Sequence, residues 1–104
     1  MLVRVGENMS YMQAAEATVA AGGSGTLSFD FSTLSHYKNL SFEDFVVIVV
    51  PSSPPAAGNA VSIDEDNSSY DQATGTLTIG LTNSDSTNNV TVSVFVWAPH
   101  SIGK

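Results

Sequence analysis

In "TLTIGLT", residues 76–82, apolar Leu77, Ile79 and Leu81 alternate with Thr76, Thr78, Gly80 and Thr82. A strict period of two places one face of a strand in a core and the other in water, and the β-branched threonines suit that conformation. Residues 88–97 repeat the pattern through Val90, Val92, Val94 and Val96. The link between them, "NSDSTNN", is made of turn residues, so the two runs are expected to pair antiparallel as a hairpin with a long loop. Upstream, Leu27, Phe29 and Phe31 alternate with Ser28, Asp30 and Ser32, a further half-buried strand entered from the "GGSG" turn at residues 22–25.

The run "FVVIVV" at residues 45–50 differs because six successive apolar residues leave neither face for water. It predicts a short strand buried on both sides, ended by Pro51, which has no N–H for a ladder. A short strand is expected at Val61 to Asp64, after the loop "PSSPPAAGNA". In "STLSHYKNLSFED", Leu34, Tyr37 and Leu40 recur every three residues and predict a single helical turn packed under one end of the sheets. Residues 10–21 admit two readings. Ser10 and Gln13 resemble a capping box with Gly22 as the stop, whereas Ala15, Ala17, Val19 and Ala21 alternate with Glu16 and Thr18 and favour a strand.

Five to seven short strands with no interleaved long helices predict an all-β fold, a small antiparallel β-sandwich or jelly-roll-like barrel. Residues 1–12 are expected to be an N-terminal arm that adds a strand to a neighbour, residues 13–100 the β-sandwich domain, and residues 101–104 a C-terminal tail. A chain of 104 residues holds one modest core. Leu27, Phe29, Phe31, Leu77, Ile79, Leu81, Val90, Val92, Val94 and Val96 already fill it. Apolar surface is left over: the second face of the 45–50 run, Val46, Ile48 and Val50, and the aromatic end of the last strand, Phe95 and Trp97. These five residues are the expected interface of a homo-oligomer, since aromatics concentrate where copies meet. The alternative cover within the chain is the N-terminal segment, folded over them with Tyr11 and Met12.

Charge narrows the partners. Ten acidic residues face three basic ones, Arg4, Lys38 and Lys104, for a formal net charge of -7. Phosphate backbones are bound through Lys and Arg, which displace the condensed counterions into solution, so nucleic acid and anionic membranes are not expected partners. Self-repulsion for solubility explains the acidity, and so does adaptation to high salt. Charged residues make up 12% of the chain, and Ser and Thr supply the polar exterior instead.

Chemistry finds little foothold. Cysteine is absent, which excludes disulfides, thiolate metal sites and thiol nucleophiles. His36 and His100 lack acidic neighbours in sequence, and there is no G-x-S-x-G elbow or S-x-x-K pair, so no catalytic residue and no enzyme are expected. "DEDNSS", Asp64 to Ser69, is the one dense acidic cluster. Asp64, Asp66 and Ser68 fit alternate EF-hand positions, but Ser69 stands where the loop needs Gly and Gly75 where it needs Glu. A solvated turn is expected there, with a weak cation site through Asp71, and Tyr70 beside it, as the alternative; no cofactor or metal is assigned. N-x-S/T sequons stand at Asn8, Asn39, Asn67 and Asn89. "MLVRVGENMS" has no apolar stretch after Arg4, so no export signal is expected.

Together "ATVAAGGSGTLSFDF", "FVVIVVP" and "ATGTLTIGLTNSDSTNNVTVSVFVWA" resemble small β-sandwich structural proteins of tailed viruses: capsid decoration, turret and tail-associated modules. The resemblance implies a non-catalytic virion component, assembled in the host cytoplasm, that forms trimers or other rings and contacts capsid or tail proteins. "VFVWA", Val94 to Ala98, also resembles the end of the last strand of H-type lectin sandwiches. That family implies trimeric sugar binding, an adhesion module, but its Asp/Arg sugar-binding set has no counterpart here.

Overall fold

The computed structural model describes residues 11–53 and 60–99. Six strands follow in order: β1 Met12–Val19, β2 Ser24–Asp30, β3 Val46–Ser53, β4 Val61–Asp71, β5 Thr76–Asn83 and β6 Val90–Trp97. They form two three-stranded antiparallel sheets, β1-β6-β3 (sheet A) and β2-β5-β4 (sheet B). The fold is a small all-β sandwich. Residues 12–19 are strand rather than helix, because Ala15, Ala17 and Val19 share the inner face of sheet A with Val94, Val92 and Val90.

The core lies between the middle strands. Val90, Val92, Val94 and Val96 of β6 are fully buried against Leu77, Ile79 and Leu81 of β5, with Phe29 beside them and Leu27 half-buried at the margin. One end of the sandwich is closed by the β2–β3 connection, which holds two 3-10 turns, Tyr37–Asn39 and Phe42–Asp44. Leu34 and Leu40 are buried there, and the rings of Phe31, Phe45 and Tyr70 pack in sequence, tilted, at centroid spacings of 5.1 and 4.9 Å. The Tyr70 hydroxyl donates to the Tyr37 carbonyl at 2.6 Å, which satisfies its polar end inside an apolar plug.

The expected pairing of residues 76–82 with 88–97 does not occur. β5 pairs with β2 and β4, while β6 pairs with β1 and β3 in the opposite sheet. The link at residues 84–89 therefore crosses between sheets and is not a hairpin loop. Asn83 anchors it: its amide is buried and donates to Asn88 O at 2.8 Å and Val19 O at 3.1 Å, while its Oδ1 accepts from Asp85 N. The β1–β2 connection crosses beside it, tied by Gly22 N to Asp85 O and Ala21 N to Asn89 Oδ1.

The only strand pair joined by a tight turn among the described residues is β4–β5, closed by Asp71 to Thr76 with Gly75 at φ +76°. Strand β4 continues well past Asp64, the expected end. Between Asp64 and Ser69 its register shifts in a bulge that folds over Gly80: Ser68 Oγ donates to Asp64 O and accepts from Gly80 N, both at 2.8 Å. The six-residue acidic stretch is thus part of a strand, not a free turn.

Candidate interaction face

Strand pairing alone assembles the face. In sheet A the outward residues of β1, β6 and β3 line up in rows: Met12, Trp97 and Val46; then Ala14, Phe95 and Ile48; then Glu16, Ser93 and Val50. The next row turns polar, with Thr18 Oγ1 and Thr91 Oγ1 hydrogen-bonded at 2.8 Å. Alternation dictates this gradient, because each strand sends its core residues, such as Val47, Val49, Val94 and Val96, to the opposite face. All five residues expected at an interface, Val46, Ile48, Val50, Phe95 and Trp97, stand on this one surface.

Val46 is 56% exposed, Ile48 45%, Val50 43% and Trp97 38%. The 45–50 run is therefore not buried on both sides within the chain: β3 is an edge strand whose inner face alone meets the core. Phe95 is half-buried by its neighbours in the row, and its ring lies 6.2 Å from that of Trp97 with the planes inclined by 23°. Met12 and Ala14, which sequence reasoning did not place in the interface, complete the rows. Their parity with Glu16 and Thr18, opposite to Ala15, Ala17 and Val19, was the available signal.

Tyr11 does not cover this face. It packs against the core side, 5.9 Å from the His36 ring, and its carbonyl accepts from Ala98 N at 2.7 Å. Met12, by contrast, lies next to Trp97. Residues 1–10, including Arg4 and Asn8, and residues 100–104, including His100 and Lys104, lie outside the described residues.

The other sequence candidates are spent on structure. His36 Nε2 makes a 2.9 Å hydrogen bond with the Pro99 carbonyl. Asp64 takes Asn67 Nδ2 at 2.6 Å and Asp66 N at 3.2 Å; Asp71 Oδ1 accepts from Ala73 N in the β4–β5 turn and does not reach back to Asp64. Tyr70 sits in the end plug rather than beside the acidic stretch. A shallow, open depression lies at Ile63, Asp64, Glu65, Asp66 and Thr82. Among the described residues no three of His, Cys, Asp and Glu gather as a metal site would require.

Two carboxylates, Asp30 and Asp85, are held below their usual range. Asp30 is lowered by hydrogen bonds from the Ser32 side chain and backbone. Asp85 is lowered by the Asn88 side chain first, then by the backbone N–H groups of Thr87 and Asn88. Burial, with Tyr37 and Asp71 nearby, pushes the Tyr70 hydroxyl up. All three are explained by turns and packing.

Compared with known proteins, the chain matches no family model, no curated protein and no solved structure.

Proposed function

We propose that this chain is a non-catalytic structural protein that self-associates by burying the outer face of sheet A against another copy, and that the assembly decorates or reinforces the capsid or tail of a tailed virus. The observation that carries the reading is the outer face itself, where three strands present exposed Val46, Ile48, Val50 and Trp97 beside half-buried Met12 and Phe95. A contiguous apolar patch of a few hundred Å² is about the largest that a monomer ordinarily exposes, and such patches are often interaction sites. A second copy suits it for an electrostatic reason. In a chain of net charge -7, the described residues of this face include a single carboxylate, Glu16, at its polar end, so like-charged molecules meet with least repulsion there. The virion setting rests on the resemblance of these strands to virion sandwich modules. It implies capsid or tail proteins as lattice partners and assembly in the host cytoplasm.

One observation favours a second reading, a carbohydrate-binding adhesion module. The nearly parallel rings of Phe95 and Trp97 on an open sheet form a platform for sugar rings. The immediate row neighbours, Met12, Ala14, Val46 and Ile48, offer such a ligand no side-chain hydroxyl or carboxylate, which ranks it second.

Light scattering coupled to size exclusion tests the first reading. The expected result is a mass above that of the monomer which rises with concentration and with salt, as screening removes the repulsion, and which falls to the monomer in Trp97→Ser. A monomer at every concentration in low and high salt overturns it; saturable glycan-array binding lost in the same variant supports the second reading.

A further inference from the structure

Among the described residues four strands form the outer edges of the two sheets: β1 and β3 in sheet A, β2 and β4 in sheet B. An unpaired edge offers a row of N–H and C=O groups to any other strand, and proteins guard such edges with charge, proline or a bulge. Strand β1 carries Glu16, β2 ends at Asp30, and β4 carries Asp64, Glu65, Asp66 and Asp71 as well as the bulge. From Val46 to Val50, β3 has none of these guards; Pro51 comes only after them.

We infer that β3 pairs antiparallel with β3 of a second copy across a two-fold axis at Ile48, joining two copies of sheet A into one six-stranded sheet. This deepens the self-association proposed above and rests on it. The sequence Val46-Val47-Ile48-Val49-Val50 reads the same in both directions. Centred on Ile48, the pair sets Ile48 against its counterpart, Val46 against Val50 and Val47 against Val49, so every cross-strand contact joins two branched apolar side chains. No charge lies in this stretch, which matters for two copies of a strongly acidic chain.

Other registers are disfavoured by named residues. Centring on Val49 sets Pro51, which has no N–H, opposite Val47. Centring on Val47 sets Asp44 opposite Val50. A shift by a single residue turns the second copy over, so that its core-facing valines share a face with Ile48.

Size supplies a further reason. With strands about 4.8 Å apart and a rise of about 3.3 Å per residue, the outer face of one sheet A has a flat footprint of roughly 400 Å², a small patch beside standard interfaces, which bury ~800 Å² of accessible surface per partner. Two faces joined edge to edge double that footprint on one continuous surface. Copies then associate in even numbers, unlike the trimers the virion resemblance implies.

Because the chain contains no cysteine, single-cysteine variants report on this contact without background. Directly opposite residues have Cβ atoms about 4.5–5.5 Å apart, close enough for a disulfide after about an ångström of motion. Under mild oxidation Ile48→Cys is expected to shift to a covalent dimer, and a mixture of Val46→Cys with Val50→Cys is expected to cross-link faster than either variant alone. Thr26→Cys, exposed on β2 in the other sheet, is expected to form no covalent dimer. Each site is exposed, and circular dichroism of each variant checks that it folds. If light scattering shows self-association while Ile48→Cys cross-links no faster than Thr26→Cys, the edge pairing is wrong and the proposed function stands. A monomer by light scattering with no cross-linking at residue 48 overturns both.

Discussion

The Asn83 side-chain amide donates to the Val19 carbonyl at 3.1 Å, joining the last residue of β5 in one sheet to the last residue of β1 in the other. The same amide reaches Asn88 O and, at 3.3 Å, Ala20 O, so one buried side chain serves both connections that cross between the sheets at this end. Replacing it removes the side-chain donor from the Val19 and Asn88 carbonyls in a buried corner, while Ala20 O keeps its bond from Gly23 N. Asn83→Ala is expected to cost about 1–3 kcal/mol, read from the shift in urea midpoint. Asn83→Asp, which keeps the shape and loses the donors, should cost at least as much.

Two glycines in neighbouring strands are predicted to behave in opposite ways. A Cβ on Gly80 would lie 2.9 Å from both Asp64 O and Asn67 Cβ, because the β4 bulge folds directly onto it. A Cβ on Gly25 meets nothing within 4 Å. Gly80→Ala should force the bulge off the sheet and lower the melting temperature, whereas Gly25→Ala should leave it unchanged or raise it by restricting the unfolded chain, a gain of about 0.4–1 kcal/mol. Calorimetry of the two variants decides this.

Acid should weaken the Asp85 turn in a defined direction. The carboxylate accepts from Thr87 N, Asn88 N and Asn88 Nδ2, and these bonds hold its pKa below the unfolded value. A group depressed in the folded state contributes stability in full above its unfolded pKa and loses it as pH falls through the folded one. Asp85→Asn should therefore be most destabilising at neutral pH, with the difference from the parent chain shrinking below about pH 4, where the free carboxyl titrates. Urea titrations of both proteins across that range provide the check.

Alternation revealed which side chains are buried but not which strands are neighbours. Leu77, Ile79 and Leu81 show the same period as Val90 to Val96 whether the two runs lie side by side or face each other across a core, and here they face each other. A polar residue carried the missing information. Asn83 continues the inward parity of residues 77, 79 and 81, and an amide in that position needs carbonyl partners, which a chain turning a corner between sheets provides. The bulge in β4 was hidden for a different reason: an acidic, hydroxyl-rich stretch has no period to read, and its conformation is set by Gly80 on the adjacent strand. The run at residues 45–50 announced two apolar faces, yet an apolar pattern does not say which molecule covers each one. Every residue expected on the leftover surface, from Val46 to Trp97, was legible from parity because the outer face of a strand is whatever its core face is not.

Charge placed on the leftover surface should act at a distance from stability. Ile48→Lys introduces on β3 the kind of residue that guards edges elsewhere. Since Ile48 is nearly half exposed, the variant should unfold within about 0.5 kcal/mol of the parent while losing self-association. Paired light scattering and urea unfolding separate the two effects.

Trp97 is the only tryptophan in the chain and stands on the surface that is proposed to meet another copy, so its fluorescence is the most direct measure of that meeting. As the protein is concentrated, its emission should move to shorter wavelength and acrylamide quenching should fall, both in step with the rise in mass. An emission maximum and quenching constant that stay at their dilute values while the mass rises would show the indole still in water, and would contradict burial of this face.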